Sequence, residues 1–287
     1  MPVSLLRRKA FNGRQKVSRK GRSDVNIPSG VSPEAVERFN ASVAALQSYP
    51  LRASIIFVTC DRPKELDRCW TALVPTIPEG IEIVWVDNGS DAEIVRGACG
   101  RLTAWGGPFK LIANKGNLGI ARARNQGMRI AEGRLLIHLD SDIIVPAGWI
   151  DEIEKLCSVQ QIACGGLSCL AEDIPISVFY SVPMRVVYGN IAACFGMKRE
   201  IFDELGYLCE EYGPYGEEDA DWGVRCVNAG YLNAYSVILR CEHLGLDTNI
   251  YTDEFKRVNF KERRRQLEIN CRKYAEGGES VNRGWYI

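Results

Sequence analysis

Four apolar runs in the first half of the chain, each closed by a polar turn and the first three followed by a helical stretch, constrain the fold most. They are Ala53–Thr59, Gly80–Asp87, Phe109–Asn114 and Arg134–Leu139. Nearly continuous apolar strands are buried on both faces, and strands alternating with helices build a parallel sheet with helices on each side. Pro63 opens the first of these helices, at a position where proline is tolerated. A short helix is expected after the turn Asn88-Gly89-Ser90, and another from about Gly119 to Glu132. Upstream, Val36, Phe39, Val43 and Leu46 fall at helical spacing over Glu34–Gln47.

The second half is less regular. Strands are expected at Gln161–Leu170, Arg185–Gly196 and Tyr231–Leu239, with helices near Lys198–Leu205 and from about Asp219 to Ala229. A loop rich in Gly, Tyr and Pro lies at Tyr212–Gly216. Residues 250–276 read as a strongly charged helix that packs on the outside through Phe255, Val258, Leu267 and Tyr274. The chain thus divides into a basic tail over 1–30, a main α/β domain over 31–250 and a helical extension over 251–287.

At 46% hydrophobic and 25% charged, the composition excludes disorder, collagen and coiled coil as the bulk of the chain. No apolar run approaches the roughly 18 to 20 residues that span a bilayer. The net charge of zero hides an asymmetry: residues 1–23 hold eight basic residues and no acid, and the remainder has 28 basic against 36 acidic. The tail is open to several readings: an anionic-lipid anchor, a nucleic-acid arm, a transit peptide or solvated chain. Eleven cysteines with no C-x-x-C fit neither a zinc framework nor a secreted disulfide scaffold, and a reducing cytoplasm suits them.

Ligands of open parallel sheets bind beyond the carboxyl ends of the strands. Acids stand at three such ends: Asp61, Asp87, and Asp140 with Asp142. Asp61 reads equally as a helix cap. Asp140 and Asp142 follow directly on an apolar run, and like charges there are costly unless a cation lies between them. Oxygen ligands favour Mg²⁺ or Mn²⁺, which keep phosphate oxygens as further ligands. The glycines of Asn114-Lys-Gly-Asn-Leu-Gly-Ile-Ala-Arg-Ala-Arg-Asn125 permit a tight turn into a helix N-terminus, and Arg122 and Arg124 add charge suited to a diphosphate. Neither a dinucleotide fingerprint nor a P-loop is present.

Further along, Gly216-Glu-Glu-Asp-Ala-Asp221 opens a helix with four acids in five residues. These complement the helix dipole or supply a general base under a flexible loop. His243 reads as a structural residue or as a neutral ligand beside Asp142, and His138, inside an apolar strand, reads as core.

Taken in order, five stretches resemble the family 2 glycosyltransferases with the GT-A fold. They are Ser54-Ile-Ile-Phe-Val-Thr-Cys-Asp-Arg-Pro63, Val86-Asp-Asn-Gly-Ser90, Asn117-Leu-Gly-Ile-Ala-Arg-Ala-Arg-Asn-Gln-Gly127, Asp140-Ser-Asp142 and Glu218-Asp219. The similarity spans roughly residues 53–245. Thr59-Cys-Asp-Arg62 departs from the tyrosine and asparagine that members commonly place before the arginine.

The resemblance implies a Rossmann-like, mostly parallel sheet flanked by helices, with a smaller acceptor-side half. It further implies an inverting, metal-dependent enzyme that takes a sugar from a nucleoside diphosphate, UDP by family frequency, to a hydroxyl of a carbohydrate or other acceptor. By the same resemblance Thr59, Asp61, Asp87, Lys115, Asn117, Arg124 and Asp140 bind the donor, and Asp142 and His243 hold Mn²⁺ or Mg²⁺. Asp219 is then the catalytic base, with Glu218 supporting the acceptor. The competing readings are a non-catalytic nucleotide-sugar module recruited by its tail to membrane or nucleic acid, and a sugar-nucleotide pyrophosphorylase. The latter needs a glycine-rich, lysine-bearing loop that Cys60-Asp-Arg-Pro63 does not supply.

Overall fold

The computed structural model describes residues 49–169, 174–187, 193–213, 215–244 and 254–275, with side chains of the last helix from 262 to 274. The basic tail, the helix expected over Glu34–Gln47, and Phe255 and Val258 as packing side chains lie outside the described residues.

The first half follows its sequence pattern closely. Strands β1 (Leu51–Thr59), β2 (Ile81–Asp87), β3 (Phe109–Ala113) and β4 (Gly133–Asp140) pair in parallel in the order β3-β2-β1-β4. Helices α1 (Pro63–Leu73), α2 (Ala92–Trp105) and α3 (Ile120–Ile130) connect them. The helix after Asn88-Gly89-Ser90 is not short but has 14 residues. Alternate residues of β1 face opposite cores. Ile55 and Phe57 join Trp85, with Trp70 of α1 and Leu102 of α2, while Ile56 and Val58 join Val84, Val86 and Met128 of α3. Phe57 and Trp85 meet edge to face at 4.9 Å, a favourable aromatic geometry.

The second half extends the same sheet with mixed pairing: β9 (Cys194–Lys198) lies antiparallel to both β4 and β6 (Ile162–Gly166), and β10 (Leu232–Ser236) is parallel to β6. β7 (Ile176–Phe179) and β8 (Val182–Val187) form an antiparallel edge hairpin. The single strand expected over Arg185–Gly196 is therefore two strands that sit apart in the sheet, separated by residues outside the description. A small ladder joins β5 (Ile143–Ile144) to β11 (Glu242–His243).

Helix α4 (Trp149–Ser158) packs on the first core, whereas α5 (Arg199–Leu205) and α6 (Glu218–Asn228) cover the second. Helix α7 (Glu254–Ala275) lies on α6, with Leu267 buried beside Tyr212 and Ala220, and Tyr274 buried as well. Among the described residues no helix is long and apolar enough to cross a membrane.

Candidate active site

Strand register brings the candidate residues to one edge. Thr59 pairs with Asp87 across β1–β2, and Val58 pairs with Asp140 across β1–β4, so three polar residues end the parallel strands side by side. The β5–β11 ladder sets His243 opposite Ile143, next to Asp142.

The first pocket wall is a closed hydrogen-bond set. Asp87 is fully buried. Its Oδ2 accepts from Thr59 Oγ1 at 3.0 Å, and its Oδ1 accepts from the backbone N–H groups of Gly89 and Ser90 at 3.2 and 2.9 Å. Trp85 Nε1 donates to Thr59 Oγ1 at 2.9 Å. The turn that Asp87 holds presses on the glycine-rich loop: a Cβ at Gly89, where φ is +96°, would lie 2.3 Å from the carbonyl carbon of Gly116. Only glycine fits there. Asn117 Oδ1 accepts from Asn88 Nδ2 and from the Gly119 N–H, both at 2.9 Å, which shapes the entry to α3. Lys115 and Asn117 are exposed, and the Asp61 N–H donates to Ser90 Oγ at 2.8 Å.

The second wall is ionic. Arg124, only 3% exposed, donates from Nη2 to Asp140 Oδ1 at 2.6 Å and from Nη1 to Glu218 Oε1 at 2.8 Å. A diphosphate-facing arginine was expected, and its two nearest anions are carboxylates of the chain itself. Removing one partner of such a buried pair costs about 3–5 kcal/mol, because the other charge is left uncompensated. Glu218 Oε2 is buried without a hydrogen-bond partner among the described residues. Burial, then the neighbouring Asp219 charge, push Glu218 up to about 7 against the pull of Arg124. Burial likewise raises Asp219, whose Oδ1 accepts from the Ala220 N–H at 2.8 Å.

Asp142 meets Arg62, whose Nη1 donates to Oδ2 at 3.0 Å. Both Asp61 and Arg62 sit at φ 53°, a left-handed conformation that costs non-glycine residues energy and recurs at functional sites. Burial and the Asp140 charge raise the Asp142 carboxyl. His243 Nε2 stands 4.0 Å from Asp142 Oδ1. Among the described residues no group of three or more His, Cys, Asp or Glu is spaced to hold a metal ion. Asp142 and His243 could offer a cation one carboxylate and one imidazole, its remaining ligands then coming from substrate phosphates and water. His138 is core as expected: it stacks on Phe195 at 4.7 Å, neither ring nitrogen has a partner, and burial drives its pKa well below 6.5.

Three contributors escaped the sequence reading. Arg62 belongs to the stretch Ser54–Pro63, where the sequence gives it no role. Asp221 was counted only as one of four acids, yet it is fully buried and accepts from Tyr212 Oη, Tyr274 Oη and Arg225 Nε at 2.8, 2.7 and 3.0 Å. Its signal was the (i, i+4) spacing to Arg225. Arg263, buried at 6% exposure, lies in a run of charges on α7 that carries no signal.

Residues 54–165 match the glycosyl transferase family 2 model. No curated protein matches the chain. Among solved structures, GalNAc-T7 with UDP, GalNAc and Mn²⁺ superposes with a TM-score of 0.58 at 16% identity over 74% of this chain; the chain spans 53% of that structure. A mannosyltransferase from Pyrobaculum calidifontis in complex with GDP-Man and Mn²⁺ gives 0.56 at 16% identity, over 84% of this chain and 71% of the other. TarS (residues 1–349) of S. aureus gives 0.53 at 17% identity, over 76% and 65%. Over residues 54–165, less than half of its length, the chain is similar to the family 2 glycosyltransferases, and its architecture is that of the GT-A fold.

Proposed function

We propose that the chain transfers a sugar, with inversion, from a nucleoside diphosphate donor, UDP in the first instance, to an acceptor hydroxyl. The observation that carries the reading is the buried Arg124 bridging Asp140 at the strand edge to Glu218 at the start of α6, with Asp219 beside it. In this reading the bridge holds Asp219, as the base on the acceptor side, in register with strand ends that would take the donor. The structures with UDP and Mn²⁺ or GDP-Man and Mn²⁺ support the same donor chemistry.

In this reading Thr59, Asp61 and Asp87 form the floor under base and ribose. Asp87, with both oxygens engaged, acts by holding the backbone turn 88–90 in shape. Lys115 and Asn117 lie toward the diphosphate, and Arg124 orients Asp140 and Glu218. Asp142 and His243 would hold Mn²⁺ or Mg²⁺, which when bound neutralises the departing diphosphate. Asp219 takes the acceptor proton as the acceptor oxygen attacks the anomeric carbon and the bond to the diphosphate breaks on the opposite face. Its burial-raised pKa strengthens it as a base. Eleven cysteines with no C-x-x-C suit a reducing, cytoplasmic setting. The basic segment 1–23 would bring the enzyme to an anionic membrane or nucleic acid.

The experiment is release of UDP from a panel of UDP-sugars by wild type and Asp219→Asn. The variant should lose about 100- to 10,000-fold in turnover with nucleotide affinity intact. Equal turnover by the two proteins contradicts the assignment.

A further inference from the structure

Arg263 of α7 and Glu218 of α6 present a matched pair of unsatisfied atoms. Arg263 Nη2 and Glu218 Oε2 are both buried, and neither has a hydrogen-bond partner among the described residues. One is an obligate donor and the other, when ionised, an acceptor. Leaving buried polar groups unpaired is costly, so native proteins seldom do so without a reason. Arg263 packs on the turn that leads into Glu218: its Cζ lies 5.9 Å from the centre of the Tyr215 ring. A Cβ at Gly216 would stand 3.6 Å from Arg263 Nη1. Glu218 is the carboxylate whose charge acts most strongly on Arg263, opposing the burial that lowers its pKa.

The geometry points to an acceptor subsite completed by the C-terminal helix, in which Arg263 and Glu218 clamp one hydroxyl of a neutral sugar. A hydroxyl satisfies both atoms at once, since it accepts from Nη2 and donates to Oε2. An anionic ligand would meet the unpaired Glu218 Oε2 with the Asp219 charge beside it, which favours a neutral one. Tyr215 is 39% exposed and offers apolar surface at the rim for the C–H face of a pyranose. Neither sequence motif nor strand register marks Arg263; α7 delivers it, held to α6 through Asp221. The inference rests on the transfer reading above and assigns the acceptor class to that same site.

The test uses the full chain loaded with UDP and Mn²⁺ and titrated with methyl glucoside, galactoside, mannoside and N-acetylglucosaminide, with arginine side-chain N–H signals followed by NMR. At least one glycoside should shift a signal that is missing from Arg263→Gln, and its affinity should fall about tenfold or more in that variant. Arg264→Ala, which removes only the surface pair to Glu217, should bind like wild type. Equal glycoside affinity in Arg263→Gln and wild type, or no glycoside reaching the Arg263 signal, overturns the proposal. If Arg263→Gln loses helix by circular dichroism, Arg263→Lys carries the test, with weaker glycoside binding expected and wild-type affinity contradicting it. UDP binding separates the two failures: retained, it leaves the donor site standing while the clamp falls; absent in wild type, it removes the transfer reading itself.

Discussion

Asp221→Asn tests how the C-terminal helix is tied to the candidate site. The native carboxylate is fully buried. Its Oδ1 accepts from Tyr212 Oη at 2.8 Å, Tyr274 Oη at 2.7 Å and Asn270 Nδ2 at 3.4 Å. Its Oδ2 accepts from Arg225 Nε at 3.0 Å, while the rest of that guanidinium donates to the carbonyls of Leu205 and Tyr207, both at 2.7 Å. The substitution keeps the shape and one acceptor oxygen but removes the charge opposite Arg225, and it sets an NH₂ group against donors. Breaking a buried ion pair from one side costs about 3–5 kcal/mol. For a chain of this size that is on the order of 10 °C in the unfolding midpoint. Tyr274→Phe, which deletes a single bond to the charge, should cost about 2 kcal/mol. Urea unfolding gives the energies, and hydrogen exchange over residues 262–274 shows whether α7 loosens before the rest. A loss below about 1 kcal/mol in Asp221→Asn, with unchanged protection of α7, would refute the idea that this carboxylate anchors the helix.

Two further outcomes follow from the packing and the charges. Gly133→Ala places a Cβ 2.3 Å from the backbone of Ala53, where β1 and β4 pair, so the strands must part. A loss of about 3 kcal/mol is expected by urea unfolding, and an unchanged midpoint would contradict the register. Glu218 titrates near 4.5 unfolded and about 7 folded, so the native state holds its proton more tightly. Stability from this group is full below the lower value and is lost as pH rises to the upper one. Wild type should therefore lose stability relative to Glu218→Gln between those values and run parallel above them; a constant difference across the range would contradict the shift.

Much of the first half was legible because its strands are buried on both faces. Ile81–Asp87 is buried at every position, and such a run between turn residues has few alternatives. The acids at the strand ends were legible for the same reason, since charge at the end of an apolar run has to be managed there. Helix α4, which starts after Gly148 at φ 78°, is the one helix of this half that the sequence analysis does not expect, although Ile150, Ile153, Leu156 and Cys157 are buried at helical spacing. The hairpin β7–β8 escaped because an edge strand such as Ile176–Phe179, partly exposed along its length, shows no burial pattern to read. At the site, Asp140 and Asp142 were readable as a pair in need of positive charge. That Arg124 and Arg62 meet them depends on contacts 16 and 80 residues apart in sequence, which no local pattern encodes.

The donor site is the central claim, and thermal unfolding with UDP, with and without Mn²⁺, tests it most directly beside Asp142→Ala. Ligand at about 100 times its dissociation constant adds roughly 2.7 kcal/mol to the folded state. The account predicts a midpoint that rises with UDP and Mn²⁺ together, falls back on chelation and does not rise in the variant. No rise in wild type with UDP, or an equal rise in Asp142→Ala, would contradict it.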